Sequence, residues 1–135
     1  MPTIINAVSG TGLTQTADGS GIVKLQSNGV TTNALAWVNF DGSTATIRAS
    51  YNVSSVTRTA TGTYTIALSS PLSDANYSVV ATGGNKVPTG IAYTVVTLND
   101  NAITPSTSGF GLLTTHASTG VTWDPIRVGV AVFGN

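Results

Sequence analysis

Short runs of alternating hydrophobic and polar residues, separated by clusters of Gly, Asn, Asp, Ser and Pro, set the rhythm of this 135-residue chain. Tyr64, Ile66 and Leu68 fall on one face of an extended segment, with Thr63, Thr65 and Ala67 on the other. Tyr77, Val79 and Ala81 oppose Ser78, Val80 and Thr82 in the same way. Near the C-terminal end, Ile126, Val128, Val130 and Val132 form one apolar face, while Arg127, Gly129, Ala131 and Phe133 form the other. A period of two is the period of a strand, since successive side chains leave a strand on opposite sides. The intervening clusters, Ser70-Pro71, Thr82-Gly83-Gly84-Asn85, Asn99-Asp100-Asn101 and Ser118-Thr119-Gly120, have turn chemistry. About eight to ten short strands at this spacing predict an all-β fold, an antiparallel β-sandwich or barrel, with almost no helix.

Two further strands flank a turn at Asp41-Gly42-Ser43. Ala36-Trp37-Val38-Asn39-Phe40 leads in, and the run from Thr46 to Val56 leads out, the pattern of a hairpin. In the first strand Trp37 alternates opposite Ala36, Val38 and Phe40. One of these sets faces the core, and the other faces a second layer or a partner. The last strand raises the same question. Gly129, Ala131 and Phe133, opposite its core face, are small and apolar rather than polar, so the strand is expected to be covered on both sides, by a second layer or by a sister subunit. Expected core residues are Phe40, Ile47, Tyr64, Ile66, Val79, Val128 and Val130.

Residues 1–33 differ in texture. Gly10, Gly12, Gly19, Gly21 and Gly29 interrupt two apolar runs, Ile4 to Val8 and Ile22 to Leu25. The pattern is too broken for a compact domain and too apolar for a pure linker. It fits an extended N-terminal arm, 1–33, that anchors a knob, 34–135, through Ile4, Ile5, Val8, Ile22 and Leu25. Two peripheral strands of the same sandwich are the alternative.

Charge narrows the range of functions. Asp, Glu, Lys and Arg make up 7% of the residues, with five basic and five acidic side chains and no Glu; an ordinary soluble domain carries about 25%. Without clustered Lys and Arg there is no electrostatic footprint for nucleic acid. A neutral surface rich in Thr, Ser, Asn and Gly suits a protein held in an assembly or exposed on a particle. No apolar run approaches the roughly 20 residues needed to span a bilayer, so no membrane insertion is expected. The start Met1-Pro2-Thr3-Ile4-Ile5-Asn6 lacks the basic and apolar regions of a secretory signal.

Catalytic chemistry finds little to work with, and no enzyme activity is expected. There is no cysteine and one histidine, His116. No Gly-x-Ser-x-Gly elbow accompanies it, and no zinc-ligand spacing is present. Most of the five aspartates, Asp18, Asp41, Asp74, Asp100 and Asp124, sit beside turn residues, where they bond nearby backbone amides. No Asp-x-Asp-x-Asp-Gly loop exists for calcium. Gly10-Thr11-Gly12 and Gly19-Ser20-Gly21 do not continue into a phosphate-binding loop. No catalytic residue, cofactor or metal is therefore expected. Trp123 beside Asp124, in Gly120-Val121-Thr122-Trp123-Asp124-Pro125, is a candidate binding pair, an aromatic for stacking on a sugar ring with a carboxylate beside it. A tryptophan tucked over the end of the sandwich is the competing reading.

Ala36-Trp37-Val38-Asn39-Phe40-Asp41-Gly42 and Thr46-Ile47-Arg48-Ala49-Ser50-Tyr51-Asn52-Val53-Ser54-Ser55-Val56 also resemble the opening of a C-terminal knob module of bacteriophage tail fibre and virion surface proteins. Thr61-Gly62-Thr63-Tyr64, Asp74-Ala75-Asn76-Tyr77 and Val130-Ala131-Val132-Phe133-Gly134-Asn135 follow in the same order, so the resemblance covers roughly residues 34–135. It implies a non-enzymatic virion protein, made in the host cytoplasm, with a jelly-roll-like sandwich knob that forms a homotrimer. Fibre proteins with this module usually place a long shaft before it. Here about thirty residues precede Trp37, reaching at most ~100 Å when extended. On that ground the first expectation is a capsid cement or decoration protein whose partner is the major capsid protein or another virion protein. The alternative is the receptor-binding tip of a tail fibre that recognises a host surface glycan. A polysaccharide depolymerase, which needs two carboxylates about 5–10 Å apart in a cleft, is a third reading.

Overall fold

A computed structural model describes residues 25–84, 93–101 and 103–134, and among these the chain forms strands and no helix. The strands are β1 (Gln26–Ser27), β2 (Val30–Thr31), β3 (Ala36–Phe40), β4 (Ile47–Tyr51), β5 (Val53–Ala60), β6 (Thr63–Leu68), β7 (Ser78–Gly83), β8 (Thr94–Leu98), β9 (Gly109–His116) and β10 (Val128–Phe133). β1 and β2 pair with each other alone. The others form two four-stranded antiparallel sheets, in the orders β4-β3-β10-β7 and β5-β6-β9-β8.

The two larger sheets share one core. Ala36, Val38 and Phe40 of β3 and Val128, Val130 and Val132 of β10 face it from the first sheet. Tyr64, Ile66 and Leu68 of β6, with Phe110 and Leu112 of β9, face it from the second. Rings meet across the gap: Phe40 and Tyr64 lie edge to face, with centroids 5.1 Å apart. Ile47 and Val79 are only partly buried. They lie on β4 and β7, the edges of their sheet, where a side chain has strand neighbours on one side only. Ile126 falls outside β10 and is exposed, so the inward face of that strand starts at Val128.

The run from Thr46 to Val56 is two strands, not one. Asn52 takes a positive φ of 54° and breaks it, so that Ile47–Tyr51 belongs to one sheet and Val53–Ala60 to the other. Its side chain fixes the crossing, with Nδ2 donating to the carbonyls of Leu35 and Ser70 and Oδ1 accepting from the Ser70 amide. Asparagine tolerates this conformation better than most residues. The pairs β3–β4, β5–β6 and β8–β9 each stay within one sheet as antiparallel neighbours. The connectivity therefore departs from the jelly-roll expectation, because tight turns at Asp41–Thr46 and Thr61–Gly62 return the chain to the same sheet.

β9 is buried on both faces through Gly109–Leu112. Its outward side is covered by the following of the β8 strand into the 99–103 turn, whose Asn99 amide donates to the Gly111 carbonyl at 2.9 Å. At the N-terminal side, Leu25 is 49% exposed, with its amide donating to Asn33 Oδ1. The expected anchoring residues Ile4, Ile5, Val8 and Ile22 lie outside the described residues.

Candidate functional site

Two regions hold the side chains that the sequence singles out: one end of the paired sheets, and the outer face of the β4-β3-β10-β7 sheet.

At the end, three segments converge: the Asp41–Thr46 turn, the Thr61–Gly62 turn and the loop that enters β10. Asp124 ties them together. Its Oδ1 accepts from the Gly62 amide at 2.8 Å and from Arg58 Nε at 3.0 Å, and the Tyr64 hydroxyl stands 2.9 Å away. Oδ2 receives Arg58 Nη2 at 2.7 Å, completing a two-pronged ion pair. The Tyr64 hydroxyl is also 3.0 Å from the Gly42 carbonyl, and the Gly42 amide donates to the Pro125 carbonyl. Burial works to raise the Asp124 carboxyl; the bonds from Arg58, Gly62 and Tyr64 outweigh it and hold the group below its ordinary value. Burial first, and the adjacent carboxylate second, push the Tyr64 hydroxyl well above the usual tyrosine range, so it remains a proton donor.

Gly62 is needed here for two reasons. It takes φ +70°, and a Cβ would run into the Thr114 carbonyl and the Trp123 backbone. Thr114, fully buried, donates through Oγ1 to the Trp123 carbonyl at 2.6 Å. Trp123 is 8% exposed, with the His116 ring set edge-on at 5.4 Å, and its indole N–H has no hydrogen-bond partner. The structure thus places Trp123 and Asp124 together, but inside the end of the fold: the ring has little open face on which to stack, and the carboxylate is already occupied.

Asp41 plays a parallel part nearby. Its Oδ1 accepts from the amide and hydroxyl of Ser43, and Oδ2 meets Arg48 Nη2 at 2.7 Å. Arg48 continues to the carbonyls of Phe40 and Ile126, so it pins the turn to the loop before β10. The Ser43 hydroxyl, opposed by burial and assisted by the Ser43 amide and by Arg48, lowers the Asp41 carboxyl. Asp74 caps its own turn by accepting from the Asn76 amide. Among the described residues, no group of three or more His, Cys, Asp or Glu is placed to hold a metal ion, and no helix is long and apolar enough to cross a membrane.

The outer face of the other region has the opposite character. The pairings Trp37↔Tyr51, Trp37↔Ala131 and Ala131↔Val80 place Tyr51, Trp37, Ala131 and Val80 in one row across all four strands. Ala36, Val38 and Phe40 take the core, so Trp37 points outward and is 40% exposed; Val80 is 58% exposed. Phe133, also exposed, follows two residues after Ala131. The adjoining row is Ala49, Asn39, Gly129 and Thr82. Neither row carries a charged side chain. The apolar second face of the last strand was visible in the sequence; its continuation into β3, β4 and β7 depends on register.

No protein-family model matches the chain, and no curated protein matches it. Among solved structures, the fold is similar to that of the phiAB6 tailspike, solved in complex with three-repeated oligosaccharides of Acinetobacter baumannii surface polysaccharide. The TM-score is 0.50 at 15% sequence identity, over 98% of this chain and 30% of that one. The likeness is one of fold, and this chain spans less than a third of the tailspike's length.

Proposed function

We propose that this chain is a non-enzymatic bacteriophage virion protein, carried at the tail as a homotrimeric knob that recognises a host surface glycan. The observation that carries the reading is the fold likeness to a phage tailspike over nearly the whole chain. It supports the same class of protein as the motifs from Ala36 to Asn135, from different information. The likeness is to a tail protein and lends capsid decoration no support over the tail, so the tail reading takes precedence. The neutral, hydroxyl-rich composition is compatible with glycan recognition, which relies on aromatic stacking and neutral hydrogen bonds.

Immunogold labelling of intact particles with an antibody against the chain tests the location. Label at the tail supports the proposal; label spread over the head overturns it in favour of decoration. An array of bacterial surface polysaccharides probed with purified full-length chain tests the ligand class, with saturable binding to a subset expected. Release of reducing sugar ends from a bound polysaccharide would refute the non-enzymatic part.

A further inference from the structure

We infer that the outer face of the β4-β3-β10-β7 sheet is where copies of this chain meet, Trp37 of one copy packing on the Ala131–Gly129 strip of the next. This rests on the reading of the chain as an oligomer and names the surface that makes it one.

The row Tyr51-Trp37-Ala131-Val80 is uneven in height. Its β4–β3 half carries two large rings, while its β10–β7 half is shallow, with Ala131 and Val80 backed by Gly129 and Thr82 in the next row. A high half beside a low half on one flat sheet is self-complementary: the rings of one copy fill the depression of another. Such large-on-small interdigitation is how apolar surfaces reach the packing density of a protein interior. Because the match is between two halves of the same face, every copy offers both parts, as a closed cyclic assembly requires.

Charge placement supports the same partner. Arg48, Asp41, Arg58 and Asp124 gather in the lock at the far end of the sheets, where each is paired. The two central rows are neutral, so two copies approach with no like-charge repulsion and no ion to desolvate. Tryptophan and tyrosine at the centre of a charge-free patch are also the composition of interface hot spots. A glycan would be held by polar groups converging around the ring. The immediate neighbours of Trp37 along its row are instead Tyr51, Ala131 and Val80.

Light scattering on the full chain at micromolar concentration tests this, together with Ala131→Arg, Trp37→Ser and, as control, Thr57→Arg on an exposed position of the other sheet. We expect a three-chain mass for the unmodified protein and for Thr57→Arg, and a one-chain mass for Ala131→Arg and Trp37→Ser, with association weakened by at least about 30-fold. Circular dichroism shows whether each variant is folded, and Trp37→Ser, which only removes an exposed ring, serves if Ala131→Arg does not fold. Tryptophan emission of the unmodified chain should shift to the red on dilution, reporting Trp37 because Trp123 is buried in either state. If the unmodified chain has a one-chain mass throughout, the oligomer reading falls and this assignment with it. If it is oligomeric and both variants stay oligomeric and folded, only the assignment of the face is overturned. If it is monomeric and its emission shifts to the blue with bacterial surface polysaccharide, the face belongs to a glycan.

Discussion

Two tryptophans divide this molecule. Trp123 sits at the end of the paired sheets among His116, Thr114 and the backbone of the Thr61–Gly62 turn, next to a carboxylate whose acceptors are all engaged. Trp37 stands in the middle of a sheet, between Tyr51 and Ala131, with much of its ring open. The end region is polar, charged and internally satisfied, so its residues hold the fold together. The outer face is apolar, uncharged and unsatisfied, so its residues contribute little to the fold of one chain and much to whatever covers them. Substitutions in the two regions should therefore separate: those at the end lower folding stability, and those on the face leave it nearly unchanged.

The strongest test of the contrast is Asp124→Ala. It removes the acceptor for Arg58, Gly62 and Tyr64 at once, and should cost about 3 kcal/mol in urea unfolding at fixed protein concentration. Asp124→Asn, which keeps the shape and part of the bonding, should fall between. A loss under about 0.5 kcal/mol for Asp124→Ala would mean that the end region is not a lock. Next is Gly62→Ala, expected to cost about 2 kcal/mol, because an L side chain at φ +70° is strained and its Cβ meets the Thr114 carbonyl.

Acid sharpens the picture without mutation. Asp124 and Asp41 are both lowered from 3.8 in the folded chain. A lowered carboxylate contributes stability that is complete above its unfolded value and is lost as pH falls through its folded value. The unfolding free energy should thus decline as pH drops below about 4, and Asp124→Asn should flatten that decline. An acid limb identical in Asp124→Asn would assign the decline to other groups.

On the outer face, Trp37→Ser should change the unfolding free energy of dilute, monomeric protein by less than about 0.5 kcal/mol. A cost approaching that of Asp124→Ala would erase the distinction between the regions. The smallest effect is expected at Ala45, which takes φ 59° in the turn after Asp41. Ala45→Gly relieves strain in the folded chain but adds freedom to the unfolded one, for a net gain of roughly 0.5 kcal/mol or less in the same measurement.

How far the sequence discloses all this follows from the range of the interactions. Local alternation suffices for β6 and β10, where Tyr64, Ile66, Leu68 and Val128, Val130, Val132 are buried as their spacing implies. It fails at Asn52, since a break that moves the chain between sheets is made by bonds to Leu35 and Ser70 rather than by a change of pattern. It says nothing useful about β9, where Gly109 and Gly111 remove the polar half of the alternation and a turn covers the outward side. The Trp123–Asp124 pair is visible as a motif, but its partner Arg58 lies 66 residues earlier, and burial turns a candidate sugar platform into an internal joint. The outer face is legible strand by strand, through Trp37 and Ala131; only the register joins them into a row.

The strand order also has a consequence in time. β10 lies between β3 and β7, with β3 paired to β10 from Ala36 to Phe40 and β7 paired to β10 from Ser78 to Phe133. While the chain is being synthesised, β3, β4 and β7 have no shared partner until residues 128–133 have left the ribosome. Half of the core stays open to solvent for most of translation, and the final closure joins segments some ninety residues apart, a pairing of the slow, non-local kind. A ribosome stalled before Val128 would hold a chain with two unsatisfied strand edges, the form most exposed to pairing with its neighbours on the same message.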